Sequence, residues 1–165
     1  MTDDKNTAQI VNIDIACFKE NTFPDYIKKE QSQALRNLLA GNRFQPLHDN
    51  SGPYDVSLSI EESRLVMRMR NAAAQDLNVL VLSLKPYRRL IQDYFLMLES
   101  YEQTRHCATR EKLETIDMGR RALHNEGADL LLARLEDKIC MDHETARKLF
   151  TLICVLHRGA FMFAA

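Results

Sequence analysis

Residues 54–70, YDVSLSIEESRLVMRMR, decide how the rest of the chain is read. Val56, Leu58 and Ile60 alternate with polar neighbours, and after a polar Glu-Glu-Ser break Leu65, Met67 and Met69 alternate again. Side chains on a strand point to opposite faces in turn, so this stretch predicts a β-hairpin with one apolar face. Its other face carries Ser57, Ser59, Arg64, Arg68 and Arg70. An apolar sheet face must be covered, and the cover has to come from the flanking sequence.

Upstream, QIVNIDIACF over residues 9–18 alternates at Val11, Ile13 and Ile15 and reads as a half-buried strand, with a turn at residues 21–24. Residues 25–40 place Tyr26, Ile27, Leu35, Leu38 and Leu39 on one helical side, stopped by Gly41-Asn42, and residues 44–53 read as a connecting loop. Downstream, residues 77–84 are apolar on both faces, as suits a strand lying centrally in the sheet. Pro86 opens a helix with the stripe Tyr87, Leu90, Ile91, Tyr94, Leu98 and Tyr101. Thr109 caps a long helix reaching about residue 137, and Asp142 caps a last helix that Gly159 ends.

Strands first and helices later predict an α+β fold: an antiparallel sheet, made of an N-terminal strand plus a three-stranded meander, packed against three C-terminal helices and one N-terminal helix. No linker divides the 165 residues, so a single domain is expected, with residues 1–8 and 160–165 (the latter AFMFAA) as flexible or partner-bound termini.

Charge excludes some functions. Lys and Arg total 22 against 23 Asp and Glu, leaving a net charge of -1 and no global field toward nucleic acid or anionic lipid. Cys17, Cys107, Cys140 and Cys154 are far apart and read as reduced thiols. The acidic start MTDDKNTAQ is unlike a secretory signal and no apolar run spans a bilayer, so a cytoplasmic protein is expected.

The segments GPYDVSLSIEESRLV, LSLKPYRRLIQDYFLMLESY, IDMGRRALHNEGADLL with ARLEDK, and TARKLFTLICVLHRG resemble uncharacterised protein family 0262, small alphaproteobacterial proteins of unknown function. The resemblance runs from the first strand to Gly159. It implies a bacterial cytoplasmic origin and a compact domain, and it carries no reaction or ligand.

Chemistry therefore has to be sought in the residues. IDMGRRALHNEGADLL, residues 116–131, sets Asp117 four residues before Arg121 and Arg120 four before His124, so the groups can pair along one helix flank. A catalytic reading makes His124 a general acid or base, Arg120 or Arg121 the anchor of an anionic substrate, and Asp117 or Glu126 the group that orients the imidazole. No nucleophile or metal partner accompanies them, and the reading adopted is a flank whose charges pair across a packed seam. Arg120, Arg121, His124, Asn125 and Glu126 are then an anion- or partner-binding surface. Gly119 and Gly127 each cost about 1 kcal/mol against Ala inside a helix, which predicts close packing there.

Two further patterns are weaker. Cys140 and His143 have ligand spacing and His106 precedes Cys107, but no second pair completes a zinc site, so no metal or cofactor is expected. Arg64, Arg68 and Arg70, with Lys85, Arg88 and Arg89, offer a basic face for RNA, diluted by Glu61, Glu62 and Asp93 and lacking aromatic platforms. The function expected is a non-enzymatic interaction or regulatory module that binds a protein partner or self-associates through its helical face. The alternatives are a hydrolase-like enzyme acting on a phosphorylated or other anionic small molecule through Asp117, Arg120 and His124, and an RNA-binding accessory protein.

Overall fold

The computed structural model describes residues 7–15 and 24–162, with side chains as far as Arg158. The elements are β1 (Ile10–Ile15), α1 (Asp25–Ala40), β2 (Phe44–Pro46), β3 (Tyr54–Glu61), β4 (Arg64–Arg70) and β5 (Leu80–Ser83). A 3-10 turn at Lys85–Tyr87 leads into α2 (Arg88–Thr104), followed by α3 (Arg110–Leu135), β6 (Ile139–Met141) and α4 (His143–Met162). The α+β fold expected from the sequence is found, with four helices against the sheet.

The hairpin forms as its alternation requires: β3 and β4 pair antiparallel from Asp55↔Arg70 to Glu61↔Arg64. Glu62 and Ser63 make the turn with φ of 53° and 62°, the left-handed geometry that matches the strand twist. Val56, Leu58, Leu65, Met67 and Met69 are buried on the helix side.

The main sheet has the order β1-β3-β4-β5 and is mixed, because β1 runs parallel to β3 with Ile13 opposite Val56 and Ile15 opposite Leu58. This corrects the wholly antiparallel sheet. A parallel pair needs a long crossover, and α1 between the two strands supplies it. Residues 16–18 of the expected first strand and the turn at 21–23 lie outside the described residues, as does Cys17.

Residues 77–84 were expected at the sheet centre, yet β5 is an edge strand. Its Leu80 and Leu82 pack against the core while Val79 and Val81 stand exposed, so only one of its apolar faces is covered. The expected loop after α1 contains β2, which pairs antiparallel with β6 through Phe44↔Met141 and Pro46↔Ile139. Three-residue strands leave too little periodicity to read.

Most of the predicted apolar face of α1 and α2 is buried, but Leu39 of α1, expected inward, is exposed. Ile27, Ala34 and Leu38 of α1, and Leu90, Ile91, Tyr94, Phe95 and Leu98 of α2, are buried. Tyr101 was expected inward and is exposed. Thr109 Oγ1 accepts the Lys112 N–H at 3.2 Å and Asp142 Oδ1 accepts the Thr145 N–H at 2.9 Å, so both expected caps are present.

From Leu149 to Leu156 every residue of α4 is buried, and the helix packs against α1, α3 and β3. Such a run, apolar but for Thr151, is the signature of a central helix. Gly159 does not end α4, which continues to Met162; the side chains of the AFMFAA tail lie outside the described residues. Cys154 is buried as expected of a packed thiol, while Cys107 and Cys140 are exposed.

Candidate functional site

The charged flank of α3 works as a seam that ties three other helices together. Glu126 accepts a 2.8 Å hydrogen bond from Arg89 of α2, Arg120 lies 3.5 Å from Glu30 of α1, and Asp129 lies 3.1 Å from His143 of α4. Along α3 itself, Arg121 donates to Asp117 at 2.7 Å and Arg120 stands 4.0 Å from the same carboxylate. Exposed pairs of this kind contribute no more than about 1 kcal/mol each, so the seam aligns the helices more than it stabilises them.

Beside the seam a cleft of about 240 Å³ opens between α1, α3 and α4. One wall is Glu30, Gln33, Ala34 and Asn37 of α1, and the facing wall is Glu144, Arg147, Lys148 and Thr151 of α4. Both follow the spacing i, i+3, i+4, i+7, which is one stripe of an α-helix. Arg120 and His124 of α3 complete the lining.

Of the three cations, Arg120 faces Glu30 and Asp117, and Arg147 reaches Glu144 at 3.4 Å. Lys148 donates to the Gly41 carbonyl at 2.7 Å, a neutral acceptor, and forms no ion pair with a carboxylate among the described residues. The Arg147 Nε is buried with no hydrogen-bond partner among the described residues.

His124 packs among aromatics, with ring centroids 5.3 Å from Tyr94 and 6.4 Å from Phe150, and its Nε2 is 3.4 Å from Thr151 Oγ1. Burial, then the guanidinium groups of Arg120 and Arg147, push its imidazole down to about 4 against a smaller upward pull from Asp117. It is therefore uncharged at neutral pH. The Tyr94 hydroxyl donates to Glu30, and burial followed by the nearby carboxylate raises its pKa far above the usual range.

Of the candidates named from sequence, Arg120 and His124 share the cleft, while Asp117 does not line it and directs its carboxylate to the two arginines. Asn125 is exposed, and Glu126 belongs to the α2–α3 contact. On the sheet, Arg68 lies 3.9 Å from Glu61 and Arg70 is 3.1 Å from Asp76, whereas Arg64 sits exposed at the hairpin end opposite Glu61. Among the described residues, no three His, Cys, Asp or Glu side chains gather as metal ligands would.

Sequence reasoning missed Glu30, Gln33, Asn37, Arg147, Lys148 and Thr151. The signal was present as two polar stripes flanking apolar ones in residues 30–37 and 144–151, but nothing local shows that the stripes face each other. Both glycines do mark close contacts: a Cβ at Gly119 would meet the end of the Met97 side chain, and one at Gly127 would meet the Phe150 ring at 2.5 Å.

Fold and site together define a small α+β domain with a charged cleft among its helices. The chain belongs to the uncharacterised protein family UPF0262, whose model matches residues 7–159. It is 44% identical over 151 residues to a UPF0262 protein of Brucella anthropi, covering 91% of this chain and 94% of that one. UPF0262 proteins of Brucella canis and Brucella suis are 44% identical over 158 residues, covering 95% of this chain and 98% of theirs. No solved structure matches. Among the described residues no helix is long and apolar enough to cross a membrane.

Proposed function

We propose that this protein is a non-enzymatic binding module whose helical side, at the α1–α3–α4 cleft, receives an acidic group of a protein partner. The observation that carries this reading is the convergence of Arg120, Arg147 and Lys148 from two helices on one small cleft, with Lys148 in no ion pair among the described residues. Arginine-bearing concavities of this size suit a side chain better than a whole substrate.

The catalytic alternative has less support. An imidazole held near pKa 4 is a poor proton donor at neutral pH, and Asp117 faces arginines instead of His124. Among the described residues Thr151 supplies the only hydroxyl lining the cleft, and its Oγ1 already donates to the Arg147 carbonyl at 3.1 Å. The RNA alternative has less support because Arg68 and Arg70 share their hollow with Asp14, Asp55 and Asp76, so carboxylates outnumber the arginines there. The apolar run of α4 from Leu149 to Leu156 is buried inside the domain, which leaves the polar stripe of that helix for a partner.

Affinity purification from the native cell, comparing the unaltered chain with an Arg120→Ala, Arg147→Ala double variant of matched stability, tests the reading. A partner held by the first and lost from the second is expected. Equal capture by both, or a chain that retains no partner, contradicts it.

A further inference from the structure

We infer that the group recognised in the cleft is a carboxylate, received between the guanidinium groups of Arg120 and Arg147 beside His124. This inference rests on the binding role proposed above and names its chemistry.

Position comes first. Arg120 and Arg147 reach the cleft from different helices, and His124 lies in the same lining, close enough to feel both charges. A point between two guanidinium groups, in a partly buried cleft, attracts an anion more strongly than an open surface does. Planar guanidinium forks match the two oxygens of a carboxylate, which a single ammonium does not. The unpartnered Arg147 Nε is a donor left over inside the protein, and an acceptor drawn in beside the guanidinium offers what it lacks.

Charge then selects among anions. The lining holds three cations, Arg120, Arg147 and Lys148, against the carboxylates of Glu30 and Glu144, with His124 uncharged and Asp117 just outside it paired at 2.7 Å with Arg121, so one positive charge is left over. A monoanion balances it. A phosphate carrying close to two charges would meet Glu30 and Glu144 and be repelled. The volume of about 240 Å³ lies below the roughly 300–1,000 Å³ of pockets that enclose drug-sized ligands, and suits one acidic side chain or a small carboxylic acid.

A free organic acid and an acidic residue of a partner present the same group, and the test separates them. The full chain, with its histidine rings observed by NMR, is titrated with acetate, a short glutamate-rich peptide and inorganic phosphate. Acetate and the peptide should both move the His124 ring signals, and phosphate should move them little. Arg147→Lys should weaken acetate binding about tenfold or more. Glu144→Gln, at an exposed position, should strengthen phosphate binding.

Phosphate binding more tightly than acetate, or Arg147→Lys leaving acetate binding unchanged, overturns the carboxylate assignment while the partner role stands. Acetate binding with no response to the peptide upholds the carboxylate and removes the protein partner. No ring response to any of the three overturns the cleft as a site.

Discussion

The ring of Phe150 rests against the backbone of Gly127, so that a Cβ on the glycine would stand 2.5 Å from the ring. Phe150 is fully buried and also meets His124 and Tyr94, so this contact sets how near α3 and α4 approach. Gly127→Ala should therefore destabilise the protein by about 1–3 kcal/mol in urea unfolding, since a buried ring cannot yield without disturbing its neighbours. Gly119→Ala is the contrast: the atom in the way is the end of the Met97 side chain, which can rotate. That variant should be neutral or gain up to about 1 kcal/mol from helix propensity, and a loss as large as that at Gly127 would refute the difference.

The hairpin turn stores strain that substitution should release. Glu62 and Ser63 both hold positive φ, a region in which residues with a Cβ are penalised by about 1–2 kcal/mol. Replacing the pair by Asn-Gly should raise stability by about 1 kcal/mol without altering the fold, and an unchanged or lowered unfolding midpoint would count against the turn geometry.

Asn42 joins the end of α1 to the first strand. Its Nδ2 donates to the carbonyls of Ile10 at 3.0 Å and Leu38 at 2.9 Å, and its Oδ1 accepts the Ile10 N–H at 2.7 Å. Asn42→Ala leaves three backbone groups unmet and should cost about 2 kcal/mol or more. Hydrogen exchange at Ile10 should accelerate with it.

Asp49 and His124 each make stability fall in acid. Burial nudges the Asp49 carboxyl upward, but hydrogen bonds from Asn71, the Ser51 N–H and Tyr54 outweigh it and hold the carboxyl below its ordinary value of 3.8. Its stabilisation is complete above that value and is lost as pH falls through the lower, folded-state one. His124 acts in a higher window: the unfolded chain takes up the proton near 6.5 and the folded protein only near 4, so stability declines as pH falls from 6.5 toward 4. Ring NMR should show His124 still uncharged at pH 5, and an apparent pKa near 6.5 would contradict its placement.

Much of the fold was legible because long elements carry their own period. The hairpin, α1, α2 and both caps at Thr109 and Asp142 follow from local pattern. What failed was relational. The direction of β1 depends on the crossover, and the edge position of β5 depends on strand order, which apolar content does not encode. The site shows the same division: Arg120 and His124 stand on one turn-spaced row and were found, whereas Arg147, Lys148 and Glu30 come to them from residues far away in sequence. Asp117 lies on the same flank, and the choice between facing the imidazole and facing Arg121 is made by side-chain reach, not by spacing.

The central claim is that the helical cleft, not the sheet, is the recognition face. Backbone hydrogen exchange of the full chain, alone and with its captured partner, tests it most directly. The account predicts added protection over residues 30–37 and 144–151, with the hairpin and the β5 edge unchanged. Protection confined to residues 57–70 or 79–83, with α1 and α4 unaffected, would contradict it.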